Sequence, residues 1–262
     1  MKLNSANINV IVKACRKAAK ILIRDFGEIE KLQISVKGPG DFVSVSDKRV
    51  EKVLIEELQK ARPNYSILSE EIGEIKNDDE FRWIIDPIDG TANFLHGIPH
   101  FGISVGLEQN KEIICGVIYD PIKDEMFMAE KGNGSYVNNQ RIRVSARNKL
   151  EECIIFTGGP KHSSKEQKLS LEEYKKFSLH VPTPIRKLGS ASLDMAYVAA
   201  GRCDGFWQRN LNYWDIAAGI IIIKEAGGFI TDFEGKDSYV ENKTILATNS
   251  KITEEMIKVL KQ

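Results

Sequence analysis

Trp83-Ile84-Ile85-Asp86-Pro87-Ile88-Asp89-Gly90-Thr91 sets a buried strand directly against a sharp turn. Three bulky apolar residues in a row read as a strand covered on both faces, and they run without a break into two aspartates. Pro87 cannot donate to a sheet ladder and Gly90 permits an unusual backbone angle, so the spacing predicts that the strand ends at Asp86 and the chain turns. Alternation lapses in a turn, which lets both carboxylates and an intervening carbonyl converge on one point. Such an oxygen-rich set suits a hard cation such as Mg²⁺. An Asp-rich turn with no ligand is the competing reading of the same residues.

Upstream, Ile67-Leu68 is a short apolar segment followed by Ser69-Glu70-Glu71, another acidic pair just past a strand candidate. Far downstream, Tyr213-Trp214-Asp215 places a carboxylate at the opening of an apolar helix, where the helix dipole favours it. Taken singly, Glu70 reads as solvated surface and Asp215 as a cap. Together with Asp86 and Asp89 they make a candidate carboxylate set.

Helical spacing runs from Ala6 to Phe26 (Ile8, Val12, Cys15, Ala19, Leu22), with Gly27 at the C-cap position. A second helix runs through Val50, Leu54 and Leu58 to Ala61, stopped by Pro63 and capped by Ser44 or Ser46. Between them Gln33 to Val36 reads as extended and Lys37 to Asp41 as a loop. Residues 83–128 read as successive short strands in one antiparallel-rich sheet, with Gly132-Asn-Gly-Ser as a hairpin turn. Beyond Cys153 helices are expected at Lys165 to Phe177, Ser190 to Ala200, Trp214 to Ala226 and Thr253 to Leu260. Short strands at 205–207, 228–231 and 245–248 separate them. Stacked helix and sheet layers are the economical outcome. A polar stretch at 145–152 suggests two halves, 1–148 with most of the carboxylates and 149–262 with Asp215 and a substrate rim.

The 262 residues carry 37 Lys plus Arg against 37 Asp plus Glu, with no long basic run, so there is no footprint for nucleic acid. No run approaches the roughly 18 apolar residues of a membrane span, and Met1 to Val10 lacks the pattern of a secretory signal. Cys15, Cys115, Cys153 and Cys203 are scattered with no Cys-x-x-Cys pair, which fits free thiols in a reducing cytoplasm better than structural zinc.

Glu70-Glu71, then Trp83-Ile-Ile-Asp86-Pro-Ile-Asp89-Gly-Thr91-Ala-Asn93-Phe94, then Trp214-Asp215-Ile-Ala-Ala-Gly219 with Glu225-Ala-Gly-Gly228, resemble the inositol monophosphatase family. The likeness extends to Lys37, Asp47 and Gly189-Ser-Ala, so it spans nearly the whole chain. It implies an α+β fold, an α/β/α/β/α sandwich, and a Mg²⁺-dependent, lithium-sensitive phosphatase for a small phosphate monoester such as inositol 1-phosphate. On the family's pattern, Glu70, Asp86 and the Ile88 carbonyl hold one Mg²⁺ and Asp86, Asp89 and Asp215 a second, with a weaker third near Glu70. Thr91 and Asp47 are the implied activating pair. Gly90, Thr91 and Ala92 would offer amides to the phosphate. Lys37 reads equally as a phosphate contact or a solvated loop residue. Gly189, Ser190, Asp194 and Gln208 are the expected rim, where Gln208 replaces the family's frequent glutamate.

The resemblance also implies a cytoplasmic homodimer, for which the apolar strands between Gly102 and Met128 offer surface. Two other functions compete. A phosphatase for fructose 1,6-bisphosphate or a nucleotide 3′-phosphate needs extra basic residues that the relevant segments lack. The bacterial branch also includes proteins implicated in ribosomal RNA transcription, which allows a partner in the transcription machinery. His96 and His100, with no ligand spacing, read as loop residues.

Overall fold

A computed structural model describes the backbone of residues 5–28, 34–38, 41–159 and 164–262, and the side chains of 5–28, 45–159 and 166–262. Helix α1 (Ala6–Phe26) starts at Ser5, whose hydroxyl accepts from the Ile8 amide at 3.2 Å. Its apolar stripe, including Ile11, Cys15 and Leu22, is buried. Gly27 caps it with φ −71°, so the stop needs no left-handed residue. Strands β1 (Ile34–Gly38) and β2 (Asp41–Ser44) pair as an antiparallel hairpin, and α2 (Val45–Ala61) follows at once. Ser46 therefore lies inside the helix, and its hydroxyl donates to Asp25 Oδ2 at 2.7 Å.

The larger sheet holds β3 (Ser66–Ser69), β4 (Gly73–Ile75), β5 (Phe81–Asp89), β6 (Gly102–Gln109), β7 (Glu112–Asp120), β8 (Glu125–Glu130), β9 (Gly134–Val137) and β10 (Gln140–Ile142). Their order is β10-β9-β8-β7-β6-β5-β3-β4, antiparallel except for β3 beside β5. The expected end of the strand at Asp86 is corrected here. Asp86 pairs with Ser104 and Asp89 with Gly102, so β5 carries an extra residue across Pro87-Ile88 and resumes to Asp89. Pro87 has no amide to lose from the ladder, and a bulge re-aims the side chains around it.

The smaller sheet, ordered β11-β12-β14-β13, contains β11 (Ile155–Thr157), β12 (Gly205–Arg209), β13 (Phe229–Thr231) and β14 (Thr244–Thr248). The remaining helices are α3 (Thr91–Leu95), α4 (Ser164–His180), α5 (Ala191–Ala199), α6 (Tyr213–Glu225) and α7 (Thr253–Lys261). Trp83 and Ile85 pack with α1 and α2, while Ile84 packs with α5 and α6 on the opposite face. Alternation thus buries both faces of β5, as its continuous apolar run requires. A third cluster joins the smaller sheet to α4 and α7 through Phe177, Trp207 and Met256. The layers run α1/α2, larger sheet, α5/α6, smaller sheet, α4/α7, which is the expected α+β sandwich.

Helix α6 lies so close to β7 that a Cβ on Gly116 would meet the Ala218 Cα at 2.8 Å. Backbone touching backbone leaves no room to repack. The strands between Gly102 and Met128 are covered by α1 on one face and α6 on the other, so they do not supply the free apolar surface expected for a dimer. Among the described residues, no helix is long and apolar enough to cross a membrane.

Candidate active site

The bulge in β5, the turn into α3 and the openings of α5 and α6 meet around a cavity of about 180 Å³, lined by Glu70, Asp86, Ile88, Asp89, Gly90, Thr91, Ala92, Gly158, Gly159, Gly189, Ala191, Gln208, Asn210, Leu211 and Asp215. Carboxylate oxygens of Asp86, Asp89 and Asp215 lie within 4.8 Å of one another, and all three residues are buried. Each is held in place. Asp86 Oδ1 accepts from the Ile88 amide at 3.1 Å, which fixes the bulge. Asp89 Oδ2 accepts three bonds of 2.6 Å, from the Ser190 hydroxyl and from the amide and hydroxyl of Ser192. Asp215 Oδ2 accepts from the Asn212 amide at 2.6 Å, so the capping role and the cluster role coexist in one side chain.

Glu70 lines the cavity but stands outside the 4.8 Å group. Its turn is held by Glu51, which sits on α2 and is buried. Glu51 Oε1 accepts from the Ser69 hydroxyl and from the amides of Glu71 at 3.0 Å and Ile72 at 3.3 Å. Sequence reading missed Glu51. A signal existed, because Asp47 and Glu51 are four apart on α2 and share a helix face. Asp47 is buried with its Oδ1 3.4 Å from Thr91 Oγ1, which is also 2.9 Å from the Ile88 carbonyl. The two side chains are thus neighbours, with Thr91 on the cavity wall and Asp47 behind it.

Gly90 has φ +95° and Gly189 φ +90°, both in the region that favours glycine. A Cβ on Gly90 would lie 3.1 Å from the His100 carbonyl and 3.2 Å from that of Gly189. The Asn93 side-chain amide donates to the carbonyls of His100 and Leu188 at 2.7 Å each, knitting these loops together. Gly189 and Gln208 reach the cavity as expected. Gln208 donates to the Gly159 carbonyl at 3.4 Å, and a Cβ on Gly158 would lie only 1.9 Å from its Oε1, so a side chain there would push the Gln208 amide aside. Gly158, Gly159, Ala191 and Asn210, also on the wall, come from segments whose proximity only the tertiary fold reveals.

Two of the expected rim residues lie off the cavity wall. Ser190 is buried and turned to Asp89 rather than to the cavity. Asp194 is buried in the first turn of α5, a helix enclosed between the two sheets, and does not line the cavity. The Lys37 side chain lies outside the described residues.

No Lys or Arg lines the cavity among the described residues. Burial pushes the Asp86 carboxyl well above the usual carboxylate range, and the charges of Glu70, Asp89, Asp215 and Asp47 push it further. Like charges so arranged make a site that a cation would stabilise. Clustered hard oxygens fit Mg²⁺ and offer none of the nitrogen or sulfur ligands typical of structural zinc.

A layered α+β fold carrying a buried trio of carboxylates at a bulged strand end is a frame that could hold a metal ion. The model of the inositol monophosphatase family matches residues 4–262. An inositol-1-monophosphatase of Rhizobium meliloti is 49% identical over 259 residues, covering 98% of this chain and 97% of that protein. A Nus factor SuhB of Haemophilus influenzae is 36% identical over 253 residues, covering 95% and 94%. The crystal structure of the extragenic suppressor protein suhB from Bartonella henselae superposes with a TM-score of 0.95 at 49% identity, covering 98% and 99%. This chain belongs to the inositol monophosphatase family and is a phosphoric monoester hydrolase.

Proposed function

We propose that this enzyme hydrolyses a small phosphate monoester, inositol 1-phosphate first among them, with Mg²⁺ held by Glu70, Asp86, the Ile88 carbonyl, Asp89 and Asp215. The observation that carries this reading is the buried trio of carboxylates facing a small cavity that no Lys or Arg lines among the described residues. A phosphate cannot approach that much negative charge unaided. Two ions, with a third near Glu70, is the stoichiometry we assign. Bound there, Mg²⁺ neutralises the phosphate and makes a coordinated water easier to deprotonate.

The protein's own groups do the rest. Thr91 Oγ1 holds the attacking water, and Asp47 behind it takes up the water's proton. Amides of Gly90, Thr91 and Ala92 orient the phosphate oxygens. Gln208 meets a ring hydroxyl at the rim as donor or acceptor without adding charge. The absence of basic residues from the described wall argues against a second phosphate on the substrate, and so against fructose 1,6-bisphosphate or a nucleotide bisphosphate. A homodimer remains part of this reading on the family resemblance alone. The Nus factor relative supports a second role beside the transcription machinery.

Phosphate release from inositol 1-phosphate tests the reading. Turnover is expected with Mg²⁺, near-complete loss in EDTA, and inhibition by Li⁺, which has too little charge to promote the reaction. Equal rates with Mg²⁺ and with EDTA would overturn it.

A further inference from the structure

Behind the cavity, Asp194 and His100 face each other with 4.0 Å between Oδ1 and Nε2. The Asp194 side chain is 1% exposed. Neither of its oxygens, nor His100 Nε2, has a hydrogen-bond partner among the described residues. Leaving three such atoms sealed without a role is costly, so they call for an explanation. Burial lifts the Asp194 carboxyl, with the charge of Asp89 adding to the effect, and burial lowers His100. Both directions favour the uncharged forms, which suits a low-dielectric interior. Other groups acting on His100 are Lys123 in the β7–β8 turn, Asp120 at the end of β7 and Asp89, with the Tyr197 ring at 5.9 Å.

The pair joins two segments that build the site. His100 lies in the loop whose carbonyl receives Asn93 and packs under Gly90. Asp194 lies in the same helical turn as Ser190 and Ser192, which together give Asp89 Oδ2 its three hydrogen bonds. That grip commits one Asp89 oxygen to α5 and leaves the other for the cavity. We propose that His100 and Asp194 form a buried pair that positions the first turn of α5, and through it the Asp89 carboxylate, for cation binding. This rests on the cation site proposed above. Both are positioning residues, since neither lines the cavity.

The test is a Mg²⁺ titration of melting temperature on the full chain, a binding readout independent of turnover, run beside phosphate release at each Mg²⁺ concentration. Asp194→Asn keeps the shape but removes the acid, and His100→Phe keeps the ring but removes Nε2. Each is expected to raise the Mg²⁺ midpoint about tenfold, the lower end of what groups supporting metal ligands contribute. KM at saturating Mg²⁺ should stay within about twofold. Because the two act through each other, the double variant should shift the midpoint no further than either single one. Parent-like midpoints in a folded single variant, or multiplied shifts in the double, would overturn the pairing. If one single variant does not fold, the other carries the test. A parent that Mg²⁺ does not stabilise would refute the cation site itself, and this inference with it. A stabilised parent with unaffected variants would refute the pairing alone.

Discussion

Asp89→Asn is expected to lower kcat/KM by at least about a thousandfold while the protein stays folded. The three donors from Ser190 and Ser192 fill Oδ2 of the aspartate, so the single oxygen of an asparagine will turn toward them. Its NH₂ group is then left facing the carboxylate cluster. A donor dipole there repels a cation instead of ligating it. A metal contributes several kcal/mol of transition-state stabilisation, and about 4 kcal/mol corresponds to a thousandfold. Rates at saturating Mg²⁺, compared with far-UV circular dichroism of both proteins, check this. A folded variant with the parent's rate would reduce Asp89 to a turn residue.

Asp86→Asn is expected to abolish activity and yet raise the melting temperature in EDTA by several degrees. Asp86 is buried, and Glu70, Asp89, Asp215 and Asp47 all oppose its ionisation. The amide oxygen can still accept from Ile88, so the bulge keeps its pin while the charge disappears. In a chain of this size each ~1 kcal/mol of relieved repulsion raises the melting temperature by about 2–4 °C. The sign with pH follows from the same shift. A carboxyl whose folded pKa is raised contributes stability fully below its unfolded value of about 3.9, and that contribution is lost as pH rises through the folded value. In EDTA the parent should therefore melt lower as pH rises from about 4, and Asp86→Asn should flatten that slope. Calorimetry across pH decides it. A variant that melts below the parent in EDTA at pH 8 would mean that the Asp86 charge is satisfied without a cation.

Local pattern carried much of the fold. The periodicity of Ile8, Cys15 and Leu22 placed α1, and the uninterrupted Trp83-Ile84-Ile85 run marked a strand with helices on both sides. The bulge at Pro87-Ile88 was not legible, because it depends on the register of β6 opposite. The carboxylates were legible as candidates from their places at strand ends and a helix opening, and the family resemblance joined them into one site. Taken alone, Asp215 is fully explained as a helix-opening residue, and the structure shows it serving that end too. Glu51 and Ser192 escaped notice because their importance lies in partners 18 and 103 residues away. The inward turn of Asp194 had a readable sign. Residues 191–199 are apolar on every side, and such a helix is enclosed, leaving its one acid no surface to reach.

The cation site is tested most directly by soaking crystals of the unmodified protein in Mn²⁺, which replaces Mg²⁺ among oxygen ligands and scatters anomalously. An anomalous peak enclosed by the carboxylates of Asp86, Asp89 and Asp215 is the result expected, and its loss in Asp89→Asn crystals should follow. An ordered, catalytically active protein with no anomalous density between those three side chains would contradict it.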